Sequence, residues 1–165
     1  MKKLILIALI LAPMTVFAQK FGHFESFKVL EAMPEVKTVQ KEMNDLRNQY
    51  QKELETMREE IERKAQALQT QKDSLPENIF QRRQQEVEEL YNRFMSSQET
   101  FQQELTQTET SKMQPIQKKI MDAIEEVGKA GGYVYIMDKG AGIPYISETL
   151  STDVTDAIKA KLGIK

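Results

Sequence analysis

Val36–Leu68 reads VKTVQKEMNDLRNQYQKELETMREEIERKAQAL, with apolar residues at every third or fourth position and almost nothing apolar between them. Val36, Val39, Met43, Leu46, Tyr50, Leu54, Met57, Ile61, Ala65 and Leu68 make one narrow stripe. A stripe of that width covers a single partner helix and cannot face a globular core. Its filler is Glu, Lys, Gln and Arg, all good helix formers. Pro34 suits a first turn, where its missing N–H costs nothing. The spacing therefore predicts a helix from Pro34 to Asp73, about 60 Å long at ~1.5 Å per residue. Ser74-Leu75-Pro76 breaks it, and Pro76 can open a return helix. On that return Ile79, Val87, Leu90, Phe94, Phe101, Leu105, Ile116, Ile120, Ile124 and Val127 repeat the stripe until Gly128 and Gly131-Gly132 end it. The result is an antiparallel helical hairpin over residues 34–128, with its tip near 74–77.

From Leu46 to Leu68 the steps run 4, 4, 3, 4, 4, 3, an eleven-residue beat that predicts nearly straight arms. Folding about residue 75 sets position n against roughly 150 − n, which brings Pro115 beside Pro34 at the root. Thr106–Lys112 (TQTETSK), just before Pro115, is polar and a poor helix former. Pro34 and Pro115 are thus candidate hinge residues, with a simple kink as the plainer alternative.

The N-terminus sets the compartment. Met1-Lys2-Lys3 is basic, Leu4–Leu11 is an apolar run, and Val16-Phe17-Ala18 fits a small-x-small cleavage site, so residues 1–18 read as a signal peptide cut after Ala18. The apolar run is short for a bilayer about 30 Å thick. Export to the periplasm is the expectation. With no Cys in the chain, packing or oligomerisation must do what disulfides often do in secreted proteins. Loss of Lys2 and Lys3 takes 23 basic residues to 21, against 25 acidic ones, which argues against nucleic acid as a partner.

Outside the hairpin little chain is left to build a core, so a small body that oligomerises is expected. Residues 19–33 give its N-terminal part, with a strand predicted at Lys20–Phe27 (KFGHFESF) and a linker or short helical turn at Lys28–Met33. Residues 129–165 give the rest. There Tyr133–Asp138 (YVYIMD) and Ile143–Ser147 (IPYIS) read as a β-hairpin about Lys139–Gly142, and Thr152–Leu162 reads as a closing helix. The fold class is α+β.

No catalytic constellation emerges. One His, no Cys and no Trp leave no common nucleophile–base pair, and Gly140-x-Gly142 lacks the rest of a phosphate loop. No enzyme, cofactor or metal is expected. Two binding features remain. Arg63, Lys64, Lys72, Arg82 and Arg83 face only Asp73 and Glu77 around the tip, a net +3 on an arm that totals −5 from Lys41 to Thr110. Such a tip suits an acidic client or a transient membrane-surface contact, with chance distribution as the bland alternative. Phe80, Tyr91 and Met95 flank the seam of the return helix and suit either inter-arm packing or an adaptable surface for unfolded chains.

A signal, a strand, a long helical hairpin and a returning β segment with a closing helix together resemble the Skp/OmpH family of periplasmic chaperones. The most specific patches are Met33-Pro34-Glu35-Val36, Tyr133–Asp138, Tyr145 and Asp153-Val154-Thr155-Asp156-Ala157-Ile158. The resemblance implies a homotrimer built on a shared β-barrel, with tentacles that enclose unfolded outer-membrane proteins without ATP. It also implies that Tyr133, Val134, Tyr135, Ile136, Ile143, Tyr145 and Ile146 belong to the oligomerisation surface. Familiar members are strongly basic, whereas this chain is acidic except at its tip, which puts lipopolysaccharide binding in doubt. The competing readings are an adaptor that docks one folded envelope partner through its tip, and a prefoldin-like hexamer.

Overall fold

The computed structural model describes residues 19–164, so the predicted signal peptide lies outside the described residues. In chain order it has β1 (Lys20–Phe24), α1 (Ser26–Ala32), α2 (Pro34–Thr70), α3 (Glu77–Gly131), β2 (Tyr133–Asp138), a 3-10 turn (Lys139–Ala141), β3 (Ser151–Asp153) and α4 (Thr155–Lys161). The molecule is mostly helical, with a long helical hairpin and a small sheet. Two compact units divide it: Leu30–Met121, and the chain up to Val29 together with that from Asp122 onward.

The first unit is the hairpin. Met33 is extended ahead of Pro34, which sits in the first turn of α2 as its sequence requires. After Thr70 the backbone turns through Gln71–Leu75, and the Pro76 carbonyl accepts from Ile79 and Phe80 at 3.0 Å, which starts α3. The two helices run antiparallel. Tyr50 meets Glu104, Lys112 meets Glu42, Lys119 meets Glu35 and Arg83 meets Gln71, so each pair of numbers totals 154. These totals lie within one helical turn of the expected 150, which Lys64 and Glu86 meet. Pro115 shares a groove with Glu35, Thr38 and Val39 at the root. The helix continues unbroken through Pro115.

The predicted seam is the covered line, with instructive exceptions. Val36, Met43, Ile116 and Ile120 are buried, while Leu46, Tyr50, Leu54, Met57, Ile61, Leu68, Val87, Leu90, Phe94, Phe101 and Leu105 are half-buried. The seam also runs through polar residues that a count of apolar positions passes over: Lys64, Arg83, Ser97 and Thr108 are half-buried too. Lys64, not Ala65, is the covered position near the tip, because its stem crosses to Glu86 while Ala65 stays exposed. The eleven-residue beat therefore does not hold through the last turns of α2.

The second unit carries a three-stranded sheet in the order β2-β1-β3, and β1 is parallel to both neighbours. Parallel neighbours need a long crossover. Between β1 and β2 that crossover is the whole helical hairpin. The expected antiparallel hairpin of Tyr133–Asp138 with Ile143–Ser147 does not form; Ile143–Ser147 is irregular, and the third strand is Ser151–Asp153, where a helix start was expected. The physical reasons are local. The Asp138 carboxylate accepts from Gly140 N at 2.8 Å and from Ser26 N at 3.2 Å, which caps a 3-10 turn in place of a hairpin loop and ties the end of β2 to α1. Pro144 has no N–H to give a ladder. The N-terminal strand also stops early, at Phe24, and the expected linker begins as α1.

Phe24, Val29, Ala123, Val154 and Ile158 are the buried apolar residues of this unit. His23 Nδ1 lies 2.9 Å from Ser151 Oγ, and the His23 carbonyl accepts from Val154 N at 2.8 Å, so β1 holds β3 and the entry to α4. Asp153 accepts from both Thr155 N and Thr155 Oγ1, which caps α4. Burial works against its charge, yet the Thr155 bonds prevail and hold Asp153 below the ordinary carboxylate value. Asp138 is lowered in the same way, with burial opposed by Ser26 and Gly140. At the end of α3 the backbone reverses through Gly132 at φ 66°, the left-handed region that a side chain would strain.

Candidate functional site

Two surfaces have functional character. The first is the distal part of the hairpin. Ile61, Leu68, Phe80, Val87 and Tyr91 line an open groove of about 650 Å³ on one face of the arm, with Lys72 and Glu88 among its polar residues. Two of the three residues singled out as client-facing, Phe80 and Tyr91, are thus brought together. Met95 is not in the groove but is 47% exposed one helical turn beyond Tyr91. Spacing alone could have found the rest: Ile61, Leu68 and Val87 were read as seam, and a two-helix seam has no third helix to cover it.

The basic tip is only partly free. Lys64 is committed to Glu86, with Glu60 at 3.9 Å, and Arg83 donates to Gln71. The Lys64 hydrogen bond holds the Glu86 carboxyl below its ordinary value. Among the described residues the side chains of Arg63, Lys72 and Arg82 make no hydrogen bond or salt bridge. The opposite face of the tip is therefore latched by charge, and the groove face is mainly apolar with polar residues at its margin. Midway along the arm Tyr50 stacks on Phe101, with centroids 4.1 Å apart and planes 3° from parallel, and its hydroxyl donates to Glu104 at 2.5 Å. That bond raises the Tyr50 pKa.

The second surface is on the sheet. Phe21 stacks on Tyr135 with centroids 4.8 Å apart, and both line a shallow groove with Met137, Tyr145, Ile146 and Leu150. Tyr145 and Leu150 are 78% and 76% exposed. Of the residues assigned to an oligomerisation surface, Val134, Tyr135 and Tyr145 are exposed, whereas Tyr133, Ile136, Ile143 and Ile146 are half-buried. Ile136 faces Gly22, where an added Cβ would lie 3.1 Å from it. Phe21 and Leu150 were missed by sequence reasoning; Phe21 pairs with Tyr135 across the strands, and Leu150 lines the same groove. β2 and β3 are both edge strands, so the sheet is not a closed barrel.

Residues 20–162 match the family described as Outer membrane protein (OmpH-like). This chain belongs to the OmpH-like family. No curated protein matches it. Among solved structures it is similar to a candidate outer membrane chaperone (OmpH-like) from Caulobacter crescentus CB15, at 19% identity and a TM-score of 0.74, over 87% of this chain and 83% of that one. At that identity the likeness is one of fold. The long hairpin and small parallel sheet are accordingly the OmpH-like fold, and the grooves described above are this member's own surfaces on it.

Proposed function

We propose that this OmpH-like protein is an ATP-independent periplasmic holdase, which encloses unfolded outer-membrane proteins between helical arms and prevents their aggregation. The observation that carries the reading is the uncovered distal seam: a groove with Phe80, Tyr91, Ile61, Leu68 and Val87 open on a two-helix arm that has no third layer. Single contacts there are weak, so release needs no nucleotide. Several arms acting on one client supply avidity instead. The open sheet face at Phe21, Tyr135, Met137, Tyr145 and Leu150, flanked by two free strand edges, supports assembly through the sheet. The family resemblance supports a homotrimer for that assembly, which would bring three arms to one client. Export through cleavage after Ala18 belongs to the same reading.

The test uses the assembled protein and several unrelated unfolded outer-membrane proteins diluted from denaturant. Reduced light scattering at near-stoichiometric holdase is expected, and unchanged aggregation of all of them rejects the reading. Mass in solution is measured alongside, since a stable monomer removes the enclosure. A second reading, an adaptor docking one folded envelope partner or a membrane surface, draws on Arg63, Lys72 and Arg82 at the tip. In that case Arg82→Glu with Arg63→Glu abolishes binding to the partner or to anionic vesicles and leaves client protection intact.

A further inference from the structure

Opposite the stretch of α2 from Glu35 to Glu42, α3 lacks one of its main-chain hydrogen bonds. Pro115 has no N–H to offer the Ser111 carbonyl, the bond an uninterrupted helix would make there. Just before it three hydroxyls turn back on carbonyls of their own helix: Thr106 on Gln102, Thr110 on Thr106 and Ser111 on Thr108. Such bonds compete with the helix and favour bending. Two cross-arm ion pairs stand on either side of this defect, Lys112 to Glu42 at 2.7 Å and Lys119 to Glu35 at 2.9 Å. Their residues are seven apart on each helix, which puts both pairs on one face. Together they rim a groove of about 460 Å³ in which Thr38, Val39, Ser111 and Pro115 lie.

The apolar side is firm here, since Val36, Met43 and Ile116 are buried. A bend of α3 at Pro115 moves Lys112 relative to Lys119 and so must stretch at least one pair. All four side chains are 40% or more exposed, so dissolved salt reaches and screens them. We propose that Lys112–Glu42 and Lys119–Glu35 are an ionic latch on a proline joint in α3: paired, they hold the arm closed along α2, and screened, they let residues 106–115 open and the distal arm swing. Its purpose, setting how far an arm opens around a client, rests on the holdase reading. Its existence does not.

The experiment is hydrogen exchange on the full chain, following peptides that cover 104–118, at low and high salt. Lys112→Gln with Lys119→Gln should speed exchange there about fivefold, the effect of losing two exposed pairs. High salt should do the same to the wild type and nothing further to the double variant. Lys64→Gln, which removes the pair near the tip, should leave 104–118 unchanged. Reversing both pairs (Lys112→Glu with Glu42→Lys, Lys119→Glu with Glu35→Lys) should restore slow exchange. Wild-type exchange that ignores salt and equals that of the double variant overturns the latch. Client protection measured on the same samples separates the two claims: a holdase failure leaves the exchange pattern intact, and a latch failure leaves protection intact.

Discussion

The root and the distal part of the arm are the same two helices with the same apolar spacing, yet they are packed differently. At the root Val36, Met43, Ile116 and Ile120 are buried, Met43 to 3% exposure. From Leu46 to the turn and back to Leu105, no seam residue among those described is fully buried. Polar residues explain part of this: Lys64, Arg83 and Ser97 occupy seam positions where a root residue would be Met or Ile. Each apolar Å² left in water forgoes about 25 cal/mol of stabilisation. The distal arm leaves that stabilisation unrealised within the chain, and the same surface is then available to a ligand. The packed end is the root, and the open apolar surface is at the other end.

The largest expected effect tests the first half of that division. Ile116→Ala or Met43→Ala should cost about 2–4 kcal/mol, the range for a buried aliphatic side chain that leaves a cavity. Leu90→Ala, at a half-buried position, should cost about 1 kcal/mol, since much of its side chain already faces water. Urea unfolding at one fixed protein concentration reads both, the concentration being held because an assembling protein's stability depends on it. Equal costs at the two ends would erase the distinction.

The second half is tested next. Tyr91→Ser, at an exposed position, should leave the unfolding midpoint nearly unchanged and weaken client capture about tenfold, as the loss of ~1.4 kcal/mol of contact would. Titrating a fluorescent unfolded outer-membrane protein reads the affinity. If Ile116→Ala weakens capture equally while the fold persists, the grip is not confined to the distal groove.

How much of this was legible in the sequence follows from the range of the forces involved. The hairpin, its start at Pro34 and its return at Pro76 are set by neighbours three or four residues apart, so they can be read directly. The register was legible to within one turn; the remainder depends on how Gln71–Leu75 wraps, which no spacing records. The body was read less well. Tyr133–Asp138 has the residues of a strand wherever its partner lies, but nothing local says that the partner is Lys20–Phe24, more than a hundred residues away. A nearby run, Ile143–Ser147, looked like the economical choice, and the Asp138 cap with Pro144 removed it. The distal groove was half legible: Phe80 and Tyr91 stood off the seam, but that Ile61 and Leu68 complete a groove with them needs the cross-arm register.

Acid should affect both ends of the arm in the same direction. The Lys119 hydrogen bond lowers the Glu35 pKa from 4.5, and the Lys64 bond lowers that of Glu86 from the same value. A carboxyl whose folded value is depressed contributes stability that is whole above its unfolded value and vanishes as pH falls through the folded one. The thermal midpoint should therefore be flat well above pH 4.5 and decline below it, modestly because both groups are solvent-exposed. Asp138 and Asp153 in the sheet unit shift in the same sense and add to the decline. A midpoint that rises on acidification would show that self-repulsion among the shaft's carboxylates outweighs these pairs.

The smallest effect lies between the two ends. Tyr50 touches the return helix twice, through its ring on Phe101 and its hydroxyl on Glu104. The ring removes apolar area from water, and a stacked aromatic pair adds about 0.5–1.5 kcal/mol beyond that area. The hydroxyl bond is short and charge-assisted, but it stands in water that would satisfy both groups if it broke, so its net worth is small. Tyr50→Phe keeps the stack and should cost less than about 0.5 kcal/mol, while Tyr50→Ala removes both contacts and should cost about 2 kcal/mol. The Tyr50→Phe arm should also lose any response to Glu104→Gln, because the carboxylate then has no hydroxyl to accept from. If Tyr50→Phe instead costs as much as Tyr50→Ala, the mid-arm is held by its polar bond. The gradient from packed root to open tip would then be interrupted by a charged clasp.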